Sequence, residues 1–171
     1  MFTFVTGGRR SGKSDYALRR ASELGPPPWL YVAPQVEGDE DLKTKLARHR
    51  RDQDAIWRVK DAPARLQDVV TAEVLEGAGA LVLDGLAPWL VGRLSHADDR
   101  ALLDDVEDLA ERLYRAPVPI VVVSNEVGWG FVAPTAPERR LINVLGSANQ
   151  LLAERARSVV LMVSGVAQRL R

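Results

Sequence analysis

The sequence predicts an α/β protein in which helices cover both faces of a mainly parallel β-sheet, and three observations indicate this fold. Short apolar runs alternate with longer amphipathic stretches along the chain. Residues 119–124 are almost continuously apolar, as strands buried on both faces of a parallel sheet are. A glycine-rich loop separates the first apolar run from the first amphipathic stretch, in the order strand, loop, helix.

Each predicted strand is a short run rich in β-branched, aromatic or other apolar residues. The predicted strands are 2–6, 29–33, 56–59, 80–83, 119–124 and 158–164. Residues 166–170 can add a short antiparallel edge strand at the C-terminal end. Because domains cluster at about 100–200 residues, we expect residues 1–171 to form a single nucleotide-binding domain.

The predicted helices are amphipathic stretches between these strands. Gly25 and the three prolines after it end the first helix. A later helix carries apolar residues at the spacing i, i+3, i+4 and i+7 from Leu102, with acids on its solvated face. We expect residues 37–41 to form an acidic loop before a basic helical segment. The predicted helices are 14–24, 43–51, 63–76, 102–113 and 138–155.

Composition excludes several classes of protein. With no cysteine and two histidines, the chain has no disulfide scaffold, thiolate metal site, cysteine nucleophile or histidine-rich zinc cage. Its 23 Lys+Arg balance 23 Asp+Glu, which disfavours a broad basic surface for nucleic acid. No apolar run approaches the ~20 residues of a membrane span. A glycine loop begins by residue 7 and leaves no room for a signal peptide. We therefore expect a cytoplasmic protein that has no membrane span and binds no nucleic acid.

A phosphate-binding loop is the strongest local signal. Residues 7–14 fit the pattern G-x-x-x-x-G-K-[ST] in full. The glycines let backbone N–H groups face phosphate oxygens, and the helix N-terminus adds partial positive charge. Lys13 can reach the β- and γ-phosphates, while the Ser14 hydroxyl can bind Mg²⁺. A glycine turn that matches by chance is the alternative. The predicted nucleotide-binding residues here are Gly7, Gly8, Arg9, Arg10, Ser11, Gly12, Lys13 and Ser14.

Asp84 follows the predicted strand 80–83, where a P-loop protein places the acid of its Walker-B strand. Its carboxylate can hold Mg²⁺, directly or through a water, opposite Ser14. An ordinary turn aspartate before Gly85 is the alternative. The sequence has no N-K-x-D motif for guanine, which disfavours a Ras-like switch.

Five segments occur in a characteristic order. They are TGGRRSGKS, His49-Arg50 with Trp57 after six residues, LDGLAPWL, SNEVGWG, and a tail NQ…VVLMVSG. Together they resemble the bifunctional adenosylcobinamide kinase/adenosylcobinamide-phosphate guanylyltransferase family of cobalamin biosynthesis, from residue 3 to about residue 165. The P-loop is generic, whereas N-E-V-G and H-R-x(6)-W at these spacings are more specific.

The resemblance implies a RecA-like fold, assembly into homo-oligomers and two reactions. In the first, ATP or GTP phosphorylates the hydroxyl of the aminopropanol arm of adenosylcobinamide. In the second, GTP guanylylates an enzyme histidine and releases pyrophosphate. The GMP then passes to the phosphorylated cobinamide, which gives adenosylcobinamide-GDP.

His49 matches the position of the guanylylated histidine. A neutral imidazole is a good nucleophile near pH 7, and the phosphoramidate that it forms is labile. Neighbouring arginines, among them Arg50, can offset phosphate charge. From the residues alone, the alternative is a surface histidine on a basic helix. The second histidine, His96, receives no predicted role.

Asn125 and Glu126 follow the predicted strand 119–124, at the end of a parallel sheet where ligand-contacting groups collect. They can orient the substrate hydroxyl, position a water or support Mg²⁺, and a polar turn is the alternative. Trp57 and Trp89 are expected in the core, with base stacking as the alternative.

Departures from the family pattern keep two further hypotheses open. Ile142 and Asn143 stand where relatives usually carry an Arg–Asp pair, and Ala87 stands where many have a threonine, although Asn149 and Gln150 remain. A kinase-only relative is therefore the second hypothesis. The third is a non-catalytic P-loop regulatory module, which binds nucleotide without cobinamide-dependent turnover.

Overall fold

A seven-stranded sheet organises the computed structural model, which describes residues 1–34, 44, 47, 57–130 and 133–171. The strand order is β3-β2-β4-β5-β1-β6-β7. All neighbouring pairs are parallel except β6 and β7, which are antiparallel. The strands are β1 (Phe2–Gly7), β2 (Trp29–Ala33), β3 (Trp57–Asp61), β4 (Ala80–Asp84), β5 (Ile120–Val123), β6 (Ser158–Val163) and β7 (Val166–Arg169). The mainly parallel sheet and its antiparallel C-terminal edge strand are confirmed.

Helices lie on both faces of this sheet, also as predicted. They are α1 (Lys13–Leu24), a 3₁₀-helix (Leu66–Val70), α2 (Ala72–Leu75), α3 (Leu86–Arg93), α4 (Asp99–Arg115) and α5 (Ala136–Arg155). Successive residues of one strand belong to different apolar clusters, because side chains alternate across a strand. Phe4 lies in the larger cluster with α3, α4 and α5, whereas Val5 lies in the smaller cluster with α1.

The predicted helix 63–76 is wrong: the structure has the 3₁₀-helix and α2 in its place. Thr71 separates them, with extended backbone at φ −106° and ψ 156°. Its hydroxyl accepts a hydrogen bond from Val74 N at 3.3 Å. Thr71 is β-branched, which disfavours a helix interior, and threonine is a better N-cap than interior residue. The helix therefore restarts at Thr71.

The structure differs from the prediction in two further ways. It contains one helix that the sequence does not predict, and another helix begins earlier than predicted. Helix α3 was not predicted, because Pro88 and the glycines around it suggest a turn. Proline is accepted there because it lies in the first helical turn. Helix α5 begins two residues before the predicted start, since Thr135 and Glu138 form a capping box.

The predicted helix 43–51 falls almost wholly outside the described residues. Thr44 and Ala47 are described, and both are helical. Within the described chain, no helix combines the length and apolar character needed to cross a membrane.

Candidate functional site

The phosphate loop begins where β1 ends, at a position that only glycine can occupy. Gly7 has φ +154°, and a Cβ atom there would lie 2.4 Å from the carbonyl oxygen of Met162 on β6. Such a distance is far inside van der Waals contact. The close approach of β1 and β6 therefore requires glycine at the first position of the loop.

The loop turns tightly before helix α1. Ser11 N donates to Gly8 O at 3.2 Å, and Gly165 N, in the β6–β7 turn, donates to Ser11 O at 3.0 Å. Gly12, with φ +92°, is the N-cap of α1. Among the described residues, no N-cap side chain accepts a hydrogen bond from the first turn of this helix. The first-turn N–H groups of α1 have no partner within the helix and carry partial positive charge, as anion binding requires. Arg9 and Arg10 are exposed beside them.

Lys13 is buried at the start of α1, and its Nζ donates to Gly8 O at 2.8 Å. Desolvation lowers the pKa of Lys13 below 10.5, and the nearby charge of Asp84 partly opposes this. The hydroxyl of Ser11 is also buried and has no hydrogen-bond partner within the described residues. A phosphate group bound in the loop would supply negative charge for Lys13 and an acceptor for Ser11.

Asp84 ends β4, two strands away from β1. Strand β5 lies between them, with Val123 level with both Val5 and Asp84. Two strand spacings place the Cα atoms of Val5 and Asp84 about 10 Å apart. The Tyr31 hydroxyl, on β2, donates to Asp84 Oδ2 at 2.8 Å. That bond orients the carboxylate at the carboxyl edge of the sheet.

The loop after β5, residues 124–128, continues the pairing with β1 and is called the β5 loop below. Ser124 N donates to Val5 O at 3.0 Å, and Glu126 N donates to Gly7 O at 2.9 Å. The Glu126 carboxylate accepts from Gly128 N at 2.9 Å. The β5 loop therefore touches the first residue of the phosphate loop directly.

Asn149, on α5, binds the β5 loop from its other side. Ser124 Oγ donates to Asn149 Oδ1 at 2.6 Å, and Asn149 Nδ2 donates to Asn125 O at 3.0 Å. Ser124 and Asn149 are both buried. Helix α5 thus contacts the candidate site through one polar side chain.

Trp129 follows the β5 loop and is 73% exposed. The other three tryptophans, Trp29, Trp57 and Trp89, are buried. The expectation that Trp57 and Trp89 belong to the core is confirmed, since each lies among buried apolar residues.

The donor set suits Mg²⁺ held jointly with a nucleotide. The described residues contain no cluster of three or more histidine or carboxylate groups that could bind a metal alone. Ser14 and Asp84 offer oxygen donors, and the Tyr31 bond leaves Asp84 Oδ1 free of that contact. Mg²⁺ prefers one or two protein oxygens together with phosphate oxygens and waters. These residues fit such an ion.

Comparison with known proteins decides the family. The family of cobinamide kinase / cobinamide phosphate guanyltransferase matches residues 3–170. The chain belongs to this family. It is 35% identical to the bifunctional adenosylcobalamin biosynthesis protein CobP of Pseudomonas aeruginosa, over 97% of this chain and 95% of that protein. It is 29% identical to the corresponding protein CobU of Salmonella typhimurium, over the whole of both chains.

Solved structures agree on the fold. A KaiC-like protein from the hyperthermophilic archaeon Pyrococcus horikoshii superposes with a TM-score of 0.58 at 15% identity, covering 94% of this chain and 69% of that one. A second protein from the same organism gives a TM-score of 0.59 at 11% identity, covering 98% of this chain and 84% of that one. The chain therefore shares its fold with these two proteins.

The structure brings most predicted site residues to one edge of the sheet. The phosphate loop, Asp84 and the β5 loop with Asn125 and Glu126 all follow the carboxyl ends of β1, β4 and β5. The predicted nucleophile His49 and its neighbour Arg50 lie outside the described residues.

Tyr31 and the contacts of Asn149 were not predicted. A tyrosine inside an apolar strand carries a signal, because a buried hydroxyl needs a hydrogen-bond partner. In the sequence, only the match to the family pattern singles out Asn149. Its position on the buried face of α5 carries the same signal.

Proposed function

We propose that the protein catalyses two successive transfers in cobalamin biosynthesis. It phosphorylates adenosylcobinamide with a nucleoside triphosphate, and then transfers GMP from GTP to the product to give adenosylcobinamide-GDP. The observation that carries the proposal is the phosphate loop at the end of β1, in a chain that matches the family over residues 3–170.

In the kinase step, the substrate hydroxyl oxygen attacks the γ-phosphorus and the bond to the β-phosphate oxygen breaks. Lys13 and the first-turn N–H groups of α1 bind the transferring group and the leaving diphosphate. Glu126, beside the phosphate loop, accepts the hydroxyl proton. Ser14 and Asp84 would hold Mg²⁺, which would supply positive charge to offset the charge that develops on the phosphate oxygens.

In the guanylyl step, an imidazole nitrogen of His49 attacks the α-phosphorus of GTP, and pyrophosphate leaves. A phosphate oxygen of the phosphorylated cobinamide then attacks the same phosphorus. The N–P bond breaks, and His49 is regenerated. Arg50, next to His49 in the chain, offsets charge on the phosphates.

The first prediction concerns covalent labelling. After incubation with α-³²P-GTP, the wild-type protein should carry an acid-labile label, and His49→Ala should carry none while it keeps kinase activity. His96→Ala is the matched control, because it removes the only other histidine, which is exposed. A labelled His49→Ala protein would show that the nucleophile is another residue.

The kinase-only alternative rests on Ile142 and Asn143, which lie on α5 in place of the usual Arg–Asp pair. In the same experiment, a wild-type protein that phosphorylates adenosylcobinamide but acquires no label would favour that alternative.

The resemblance also supports a homo-oligomer in the cytoplasm, and light scattering measures the oligomeric state.

A further inference from the structure

Asn149 is a polar residue on the buried face of an otherwise apolar stretch of helix. It is 8% exposed, and its buried neighbours on α5 are Val144, Leu145, Ala148 and Leu152. A buried amide without hydrogen bonds is costly, so a side chain of this kind in a core requires partners. Asn149 finds both of its partners in the β5 loop.

The partners determine which way the amide points. The carbonyl oxygen of Asn125 can only accept, so the Asn149 NH₂ group must face it. The Asn149 carbonyl oxygen then receives the hydroxyl hydrogen of Ser124. An aspartate at position 149 can still accept from the Ser124 hydroxyl but cannot donate to Asn125 O. A leucine makes neither bond.

The bond to Asn125 O completes a clamp on one peptide group. The C=O of Asn125 and the N–H of Glu126 belong to the same planar unit. The C=O accepts from Asn149 Nδ2 at 3.0 Å, and the N–H donates to Gly7 O at 2.9 Å. One end of the plane is therefore held by α5 and the other by the first residue of the phosphate loop. Two bonds at opposite ends fix its orientation.

We propose that Asn149 is a positioning residue for the kinase step. By holding the peptide group between Asn125 and Glu126, it sets the position of the Glu126 carboxylate relative to the phosphate loop. Both hydrogen bonds that the Asn149 amide makes within the described residues go to the β5 loop, so Asn149 acts through this loop. This inference rests on the proposed function, in which Glu126 accepts the proton of the substrate hydroxyl.

The test uses two variants and one control in the full-length chain. Asn149→Asp removes only the donor to Asn125, and Asn149→Leu removes both bonds without adding charge. Val144→Ala is the control, because it truncates a buried side chain one and a half turns away on the same helix. Thermal unfolding identifies conditions in which all three variants are folded.

Two readouts separate positioning from a merely structural role. Hydrogen exchange, followed by mass spectrometry, should become faster in peptides covering residues 124–128 for both Asn149 variants and stay at the wild-type rate for Val144→Ala. In steady-state kinase assays, kcat should fall about 10- to 100-fold while the KM for nucleotide changes little, as expected for a misplaced catalytic group. Val144→Ala should keep the wild-type kcat.

The outcomes are distinguishable from failure of the proposed function. Unchanged exchange at residues 124–128 in both Asn149 variants would overturn the clamp, whatever the activity. Faster exchange with an unchanged kcat would overturn the catalytic role. If the wild-type protein fails to phosphorylate adenosylcobinamide, the proposed function and the positioning role both fall, and the exchange experiment still decides whether the clamp exists.

Discussion

At the scale of single residues, Lys13 carries a charge that the protein alone stabilises poorly. Its side chain is buried, and desolvation is the largest cause of its lowered pKa. The nearby charge of Asp84 favours the charged form of Lys13, and Gly8 O accepts a hydrogen bond from Lys13 Nζ. An anionic ligand supplies what is missing, since negative charge nearby raises the pKa of an ammonium group.

The second prediction follows because the pKa of Lys13 should be lower in the free protein than in the nucleotide-bound protein. Once the pH approaches the lowered pKa of free Lys13, nucleotide binding must take up a proton, so affinity falls as pH rises. We expect the dissociation constant for a nucleoside triphosphate to increase at a lower pH than an ordinary lysine, with pKa 10.5, would give. Calorimetry in buffers of different ionisation enthalpy measures both the affinity and the proton uptake.

Two variants make that experiment specific. Lys13→Arg keeps its charge at all accessible pH values and should remove the proton uptake. Lys13→Met should bind weakly at every pH and lower the rates of both transfers. Proton uptake that persists in Lys13→Arg would assign it to another group.

At the scale of helices and strands, Arg140 joins α5 to the connection between α3 and α4. Its guanidinium donates to Asp99 Oδ1 at 2.6 Å, to Leu94 O at 2.6 Å and to Ala97 O at 2.7 Å. The planar fork of arginine reaches all three acceptors at once, which an ammonium group on a flexible stem does not do. One side chain therefore fixes the end of α3 and the start of α4 against α5.

The third prediction is that Arg140→Lys lowers the free energy of unfolding by about 1 kcal/mol, since at least one charge-assisted bond is lost at a partly exposed site. For a chain of this length, the melting temperature should fall by about 2–4 °C. Arg100→Lys is the control, because Arg100 is 91% exposed and its ion pair with Asp104 is 3.9 Å long. Equal losses in the two variants would contradict the bridging role.

At the scale of the whole molecule, the described residues form apolar clusters of unequal size on the two faces of the sheet. The larger cluster joins the sheet to α3, α4, α5 and the 3₁₀-helix, whereas the smaller one contains α1. Among the described residues, most of the buried apolar side chains therefore lie on the face away from α1. Helix α1, which begins at the phosphate loop, packs in the smaller cluster.

The fourth prediction tests how burial within the larger cluster contributes to stability. Leu109 is 1% exposed in the larger cluster, and Leu109→Ala should lower the free energy of unfolding by about 2–5 kcal/mol, through lost burial and a cavity. Leu103→Ala, on the same helix but only partly buried, should cost clearly less. Denaturant unfolding measures both values. A larger loss of unfolding free energy for Leu103→Ala than for Leu109→Ala would contradict the assignment of Leu109 to the core.

The sequence predicts those features that depend on short-range pattern. The strands are continuous apolar runs, and the phosphate loop with its flanking strand and helix is encoded within a few residues. The prediction of a helix over 63–76 is wrong because a proline at its start does not reveal that Thr71 caps a second, separate helix. The Tyr31–Asp84 bond joins residues 53 apart, and Ser124 and Asn149 are 25 apart. Such contacts depend on strand order and helix docking, which no local pattern specifies.

The uneven burial of the four tryptophans has an optical consequence. Three indoles are shielded by the core, and that of Trp129 stands in water at the end of the β5 loop. An indole in water emits at longer wavelength than a shielded one and is open to collisional quenchers such as acrylamide. The red edge of the intrinsic emission therefore reports on this one loop. A ligand that covers the loop shows itself as protection from the quencher, without any dye or added label.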